Sequence, residues 1–319
     1  MKKVLVVLPV NGQQKEKIRN SCPEFDFTFE ESGKVTEQMI AEANAIVGNI
    51  PAGKLRSAEK LELLQLNSAG ADQYIADGIL PAGAVLANAT GAYNKTVAEH
   101  TFALALELMK NLHLYRDNQR QNAWKDEGKA GSFENAKVLI VGCGSIGLRF
   151  ARYAKAFGAY TVGVKTKAGE LPDELDELWA TEDLDQVLPQ ADLVVSFLPQ
   201  TKDTIHIFNR RTFSLMKKTA IFINCGRGSA VNHEDLEYAL KNGLIASAAL
   251  DVCEEEPLSA SSSLWNIENL VITPHVAGGY HLDDTLDQIV DISVRNLTAL
   301  RDHAAFVNVV DMKTGYVKK

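Results

Sequence analysis

Long apolar runs, cysteine pairs and an excess of positive charge are all missing from this sequence of 319 residues. No apolar run reaches the roughly 18 residues that a membrane-spanning helix requires. The apolar segment 4–10 is short and no small-residue cleavage site follows it, so it predicts a buried strand rather than a signal peptide. The four cysteines are scattered and form no CxxC pair, which disfavours a disulfide framework and a zinc site. These absences favour a protein of the reducing cytoplasm with no metal.

The formal net charge of −8 restricts the class of partner. A negative field disfavours nucleic acid and acidic membrane surfaces, because both would be repelled. An anionic small-molecule substrate would therefore have to be held by local positive groups that act against the overall field.

Short apolar segments alternate with helical segments along the chain. In the first hundred residues the predicted strands are 4–10, 25–29, 45–48, 64–66 and 85–87. A second series follows the polar stretch 116–134, and its six predicted strands are 138–141, 161–164, 193–197, 220–224, 246–250 and 270–273. The predicted helices are 13–20, 96–112, 148–157, 184–188, 211–217, 235–242 and 281–302. Because parallel strands need crossover helices, the pattern predicts an α/β protein with two doubly wound parallel sheets.

A glycine-rich loop opens the second series, where the strand 138–141 runs into the pattern GxGxxG and then a helix. Gly142 permits the tight turn, Gly144 lets the backbone approach a pyrophosphate, and Gly147 lets the helix pack closely on the strand. The N-terminus of the helix would then offer N–H groups to the phosphates, and Gly158 fits as its C-terminal cap. The context predicts a dinucleotide site, with a purely structural glycine turn as the alternative.

The end of the next strand bears on the choice of cofactor. An NAD site usually carries Asp or Glu there to bind the ribose hydroxyls, whereas this chain has Lys165, Thr166 and Lys167. These side chains would bind a 2′-phosphate that a carboxylate would repel. The sequence therefore favours NADP(H) over NAD(H), and a solvated basic loop is the alternative interpretation.

Reactive side chains follow the later strands of the second series, and ligands of open parallel sheets bind at that edge. Arg227 offers a two-pronged guanidinium to a carboxylate, and His275 supplies an imidazole, the side chain best suited to a general acid at neutral pH. Glu256 would orient the imidazole. The three suit the reduction of a 2-oxo acid. The alternatives are a surface ion pair for Arg227, a solvated turn for Glu256 and a core position for His275.

On these residues the chain resembles the D-isomer-specific 2-hydroxyacid dehydrogenases. The matching motifs are 67–72, 88–91, 97–100, the glycine loop, 224–228, 251–258 and 273–278. The tail 308–311 with Gly315 and Tyr316 looks like the glyoxylate/hydroxypyruvate reductase branch. Arg227, Glu256 and His275 fall on the catalytic residues of the family.

The resemblance also implies further contacts. Ser145 and Ile146 fall on the pair that contacts the pyrophosphate. The other implied cofactor contacts are Leu198, Pro199 and Thr204 on the adenosine side, Cys225, Gly226 and Asp251 near the nicotinamide, and Ala277. The backbone N–H groups of Ala69 and Gly70 would help Arg227 and His275 to bind the substrate.

The family architecture implies a discontinuous, flavodoxin-like substrate domain at 1–100 plus 288–319. A Rossmann cofactor domain at 101–287 would be inserted in it, with the active site in the cleft between the two. The family usually forms homodimers through the cofactor domain. The product would be the D-2-hydroxy acid.

Two other functions stay open. One is an enzyme of the same chemistry that acts on a phosphorylated or bulky 2-oxo acid. Lys54, Arg56 and Lys60 would support a phosphate, although a solvated helix face explains them more simply. The other is a dinucleotide-sensing protein like the corepressors that share this fold and keep the same three residues.

Overall fold

The computed structural model describes residues 1–167, 169–315 and 317–318. Tyr316 of the tail motif lies outside the described residues. The chain divides into two compact units, one formed by Met1–Tyr93 with Tyr280–Lys319 and the other by Asn94–Gly279. The assignment of substrate to one unit and cofactor to the other, with the predicted domain boundaries, stays a prediction.

The first unit is a five-stranded parallel sheet. Its strands are β1 (Lys3–Val6), β2 (Asp26–Phe29), β3 (Ala45–Val47), β4 (Leu63–Gln65) and β5 (Val85–Ala87), joined in part by α1 (Gly12–Ser21) and α2 (Glu37–Glu42). The spatial order is β2-β1-β3-β4-β5, which is the order of flavodoxin-like sheets. The predicted strand 4–10 was too long. Regular pairing ends at Val6, and Pro9, which has no N–H to donate, follows shortly after.

The second unit is a seven-stranded parallel sheet. Its strands are β6 (Lys137–Val141), β7 (Tyr160–Lys165), β8 (Glu177–Ala180), β9 (Leu193–Ser196), β10 (Ile221–Asn224), β11 (Ser247–Leu250) and β12 (Leu270–Ile272). Its helices are α3 (Asn94–Met109), α4 (Leu112–Arg120), α5 (Ser145–Ala156), α6 (Leu184–Val187), α7 (Arg210–Leu215) and α8 (His233–Lys241). The chain then returns to the first unit as α9 (Asp283–Asp302). Both doubly wound sheets confirm the predicted fold class.

The expectation of six strands in this series was wrong, because β8 was missed. Its four residues are all half-buried and none is β-branched, so neither an apolar run nor a clear alternation marks it. It lies at the edge of the sheet, where a strand pairs on one side only. Central strands such as β9 and β10 are buried throughout and were recognisable from their composition.

The order of the second sheet, β12-β11-β10-β9-β6-β7-β8, reverses direction between β6 and β9. Both strands end at the same edge because all pairings are parallel. Ligands of such sheets bind outside the carboxyl ends of the strands at this reversal. In the part of the chain that the structure describes, no helix has the length and apolar character needed to cross a membrane.

Candidate active site

The glycine loop lies at the point where the sheet order reverses. Gly142 has a φ of +101°, which L-residues rarely adopt, and a Cβ there would come within 2.8 Å of the Phe197 backbone. A Cβ on Gly147 would come within 2.5 Å of the Gly142 carbonyl oxygen, so α5 packs directly on the loop. Gly158 follows α5 with a φ of +84°, as expected of a C-terminal cap.

The N-terminus of α5 has the properties of an anion site. A Cβ on Gly144 would meet no atom of the described residues within 4 Å, so the space outside the loop is open to a ligand. Among the residues that the structure describes, no side chain caps this end of the helix, and its first turn carries no acidic residue. The first N–H groups of a helix have no intrahelical partner and attract anions. These residues fit the pyrophosphate of a dinucleotide, although the hydroxyl of Ser145 donates to Asn94 Oδ1 at 2.9 Å and is engaged within the unit.

Lys165 ends β7 beside the glycine loop. The carbonyl of Val164, just before it, accepts hydrogen bonds from the N–H groups of Gly142 and Cys143 at 2.9 and 3.3 Å. Among the described residues Lys165 has no ion-pair partner, and Thr166 and Lys167 are exposed. The three side chains are therefore available to a ligand at the carboxyl end of β7.

The loops after β9 and β10 contact each other. Leu198 is buried, and the hydroxyl of Thr204 donates to the Pro199 carbonyl at 2.7 Å, which closes the turn. A Cβ on Gly226 would come within 2.6 Å of the Leu198 backbone, so the two strand ends approach closely. Cys225 is buried and its N–H donates to the Ser196 carbonyl at 3.1 Å. The predicted contacts on the adenosine and nicotinamide sides thus share one edge of the sheet.

Arg227 follows β10 in a loop that the buried Asn224 holds. The Asn224 side chain donates to the Arg227 carbonyl at 3.0 Å and accepts from the Gly226 N–H at 3.2 Å. The guanidinium of Arg227 is half-buried and uses Nη1 to contact the Gly226 carbonyl at 3.0 Å. No ion pair of Arg227 occurs among the described residues, so its charge is available to an anion.

Asp251 is 2% exposed and organises the loop that carries His275. Its carboxylate accepts from the Thr273 hydroxyl at 2.6 Å and from the N–H groups of Val276 and Ala277 at 3.0 to 3.3 Å. The predicted cofactor contact of Asp251 near the nicotinamide stays a prediction, because in this structure the carboxylate binds groups of its own loop.

His275 and Glu256 form a directed pair. Nδ1 of His275 lies 2.7 Å from Oε2 of Glu256. A carboxylate only accepts, so Nδ1 carries the hydrogen. The other carboxylate oxygen accepts from the Cys253 N–H at 2.9 Å, which orients Glu256. The His275 side chain is 51% exposed, and its Nε2 makes no hydrogen bond among the described residues. The geometry leaves Nε2 free to exchange a proton with a ligand.

Backbone hydrogen bonds and a contact with His100 support the loop that carries His275. His275 has a φ of +53°, a strained value for a residue other than glycine. Its N–H donates to the carbonyls of Asp251 and Thr273 at 2.7 and 3.0 Å, which stabilises the strained position. Nε2 of His100 lies 3.1 Å from the Thr273 hydroxyl. The sequence pattern indicates only that His100 lies in a helix. It could not indicate the contact with Thr273, which is 173 positions away.

Three of the cysteines lie near the same edge but do not suit nucleophilic chemistry. Burial raises the pKa of the Cys143 and Cys225 thiols to about 12, and that of Cys253 to about 11. Thiols with such values stay protonated at neutral pH. Among the described residues no cluster of three or more metal-ligating side chains occurs.

The first unit presents the loop 67–70 at the end of β4. The N–H groups of Ala69 and Gly70 donate to no protein acceptor among the described residues. A cavity of about 670 Å³ opens beside the loop at the carboxyl ends of the same sheet. Its wall includes Leu8, Phe29 and Asn67, together with Lys15, Glu30 and Glu31.

Comparison with known proteins gives consistent results. Residues 102–277 match the family described as D-isomer-specific 2-hydroxyacid dehydrogenase, NAD-binding domain. A glyoxylate/hydroxypyruvate reductase B of Salmonella typhi is 34% identical, covering 82% of this chain and 82% of its own length.

Two solved structures are similar over nearly the whole chain. A D-isomer-specific 2-hydroxyacid dehydrogenase family protein of Aeromonas salmonicida is 32% identical with a TM-score of 0.87, covering 98% of this chain and 99% of that one. A glyoxylate/hydroxypyruvate reductase of Sinorhizobium meliloti, in complex with NADP and sulfate, is 23% identical with a TM-score of 0.83, covering 99% and 100%. The similarity to the Sinorhizobium meliloti protein shows only that the two chains share a fold.

Proposed function

This chain belongs to the D-isomer-specific 2-hydroxyacid dehydrogenases, a family of NAD(P)-dependent oxidoreductases, and we propose that it reduces a small 2-oxo acid of the glyoxylate/hydroxypyruvate type to the D-2-hydroxy acid. The observation that carries the proposal is the pair of Glu256 and His275, joined at 2.7 Å with Nε2 left free. The similarity to a glyoxylate/hydroxypyruvate reductase supports the substrate class.

The proposed roles follow from the geometry of the residues. A reduced nicotinamide, when bound, supplies the hydride that adds to C2 of the substrate. His275 then donates the proton from Nε2 to the carbonyl oxygen, which takes up the electron pair of the C=O bond as the hydride adds. Glu256 keeps the ring oriented through Nδ1. Arg227 and the N–H groups of the loop 67–70 hold the carboxylate.

The test is a panel of 2-oxo acids assayed by loss of absorbance at about 340 nm, the band of the reduced nicotinamide group, with NADPH and with NADH. The panel contains glyoxylate, hydroxypyruvate, pyruvate, phenylpyruvate and 3-phosphohydroxypyruvate. Fast turnover of the first two is expected. No turnover of any acid, together with tight dinucleotide binding, would contradict the proposal and favour the alternative of a dinucleotide-sensing protein.

A bulky 2-oxo acid is the second candidate, because the cavity beside the loop 67–70 has about 670 Å³ of space. The cavity wall carries two carboxylates, Glu30 and Glu31, against one ammonium, Lys15. This balance disfavours a phosphorylated tail, because the carboxylates would repel it. Faster turnover of phenylpyruvate than of glyoxylate would favour the bulky acid.

NADPH is the proposed cofactor, because Lys165, Thr166 and Lys167 end β7 where an acid would select NAD(H). We expect Lys165→Asp to lower the NADPH/NADH ratio of kcat/KM by about 100-fold, since a charge-assisted contact is lost and a repulsion is added. The control is Lys218→Asp, which changes the charge equally but lies just before β10, at the opposite edge of the sheet. An unchanged ratio in the Lys165 variant would remove the 2′-phosphate role.

A homodimer formed through the second unit is proposed from an exposed aromatic surface. Trp124 is fully exposed in the segment after α4, and Leu112 and Tyr115 of α4 are 51% and 38% exposed. Large apolar side chains on a surface mark association sites, and tryptophan often dominates their energetics. This surface fits a second copy of the chain.

We expect Trp124→Ala to shift the protein from dimer to monomer, as measured by light scattering after size exclusion over a range of concentrations. The matched control is Tyr238→Ala, which removes an exposed aromatic side chain of α8 in the same unit. A wild-type monomer, or a dimer that both variants keep, would contradict this assignment.

A further inference from the structure

All four carbonyl oxygens of the loop 67–70 accept a hydrogen bond from within the first unit. The donors are the Tyr93 hydroxyl to Asn67, the Ala89 N–H to Ser68 at 2.9 Å, the Asn88 side chain to Ala69 at 2.7 Å, and the Ser68 hydroxyl to Gly70 at 2.6 Å. A run of four carbonyls bound in this way fixes the plane of each peptide in the loop.

The fixed carbonyls determine the direction of the N–H groups. A peptide unit is planar and trans, so its N–H points away from its C=O. The bonds to the carbonyls of Ser68 and Ala69 therefore turn the N–H groups of Ala69 and Gly70 to the opposite side. Successive N–H groups held in this way form a concave anion-binding surface. Donors fixed before the ligand arrives need no reorganisation when it binds.

Ser68 is held in turn by a reciprocal pair of asparagines. The Asn49 N–H donates to Asn67 Oδ1 at 2.6 Å, and the Asn67 N–H donates to Asn49 Oδ1 at 3.1 Å. The Asn49 amide nitrogen then donates to the Ser68 hydroxyl at 3.1 Å. A hydroxyl has one hydrogen, so the bond accepted from Asn49 leaves that hydrogen for the Gly70 carbonyl.

Tyr280 supports the other end of the loop through Tyr93. The two hydroxyls are hydrogen-bonded, and Tyr93 gives its own hydrogen to the Asn67 carbonyl. Burial raises the pKa of Tyr93 well above its ordinary value, so this hydroxyl stays protonated and remains a donor.

We propose that Ser68 and Asn49 are positioning residues for the substrate carboxylate, because the bond from the Ser68 hydroxyl to the Gly70 carbonyl closes a ring that contains the two peptide units bearing the N–H groups of Ala69 and Gly70. The inference rests on the proposed function, in which this loop binds the carboxylate. Ser68 does not need to touch the substrate, and its effect passes through the Gly70 carbonyl.

The experiment uses Ser68→Ala in the full chain, with Ser68→Thr as the conservative variant that keeps a hydroxyl. The matched control is Ser293→Ala, because Ser293 lies in the first unit and also donates its hydroxyl hydrogen to a backbone carbonyl, that of Ile289, at 2.7 Å. We expect Ser68→Ala to raise KM for glyoxylate or hydroxypyruvate about tenfold with kcat nearly unchanged, because carboxylate binding is lost equally from ground and transition states. Ser68→Thr should have a KM much closer to that of the wild type than Ser68→Ala has. The affinity for NADPH should not change in either variant.

A second readout does not require turnover. Calorimetric binding of oxamate, a carboxylate analogue of a 2-oxo acid, to the protein with saturating NADPH should weaken about tenfold in Ser68→Ala and stay unchanged in Ser293→Ala. Equal effects in the two variants, or none in either, would overturn the positioning role. A wild type that binds oxamate but reduces no 2-oxo acid would instead contradict the proposed function.

Discussion

Replacing His275 with asparagine is expected to lower kcat about 1,000-fold, the middle of the range for a general acid. Asparagine tolerates the left-handed φ of +53° at this position, so the backbone of the loop should keep its course. The amide cannot give up a proton at neutral pH. The binding of NADPH should stay near the wild-type value, because the variant changes no group of the glycine loop.

The chain offers an unusually close control for this variant. His303, the C-terminal cap of α9, also has a φ of +53° and is exposed. His303→Asn makes the same substitution at the same backbone conformation, and we expect wild-type kcat. Stopped-flow measurement of a single turnover would separate the chemical step from product release. Wild-type single-turnover rates in His275→Asn would remove the imidazole as the acid.

The sequence specified the order and type of most elements because their burial is uniform. β10 and β11 are buried at every residue and stand between polar loops, so an apolar run marked them. β5 was predicted at its observed bounds, Val85–Ala87. β8 carries no such mark, because an edge strand exposes one side and its stability comes from pairing with β7.

The candidate site was predictable to the level of strand ends and no further. Because parallel strands end at one edge of the sheet, the sequence predicted that Arg227, Glu256 and His275 lie near the same edge. Their catalytic roles are proposals. The bonds that orient them are long-range in sequence, since Glu256 and His275 are 19 positions apart. The contacts of Asn67 with Asn49 and Tyr93 span 18 and 26 positions. No periodicity reports such pairs, because they depend on how loops from different strands meet.

Arg227→Ala should have the other large effect, a fall in kcat/KM of about 100- to 1,000-fold. The guanidinium is half-buried and contacts only the Gly226 carbonyl among the described residues, so its charge is not spent on an internal ion pair. A protein with a net charge of −8 repels an anionic substrate at long range. Removal of this cation should therefore weaken substrate capture as well as turnover.

Arg227→Lys separates charge from shape. Lysine keeps the positive charge but loses the planar fork that binds a carboxylate through two bonds. We expect it to recover only part of kcat/KM, and raised salt should weaken substrate binding by the lysine variant more than by the wild type, because a single charge contact is screened more readily than a bidentate pair. Full recovery by lysine would show that charge alone suffices. Catalytic efficiency near wild type in Arg227→Ala would remove Arg227 from the carboxylate site and leave the loop 67–70 as its main holder.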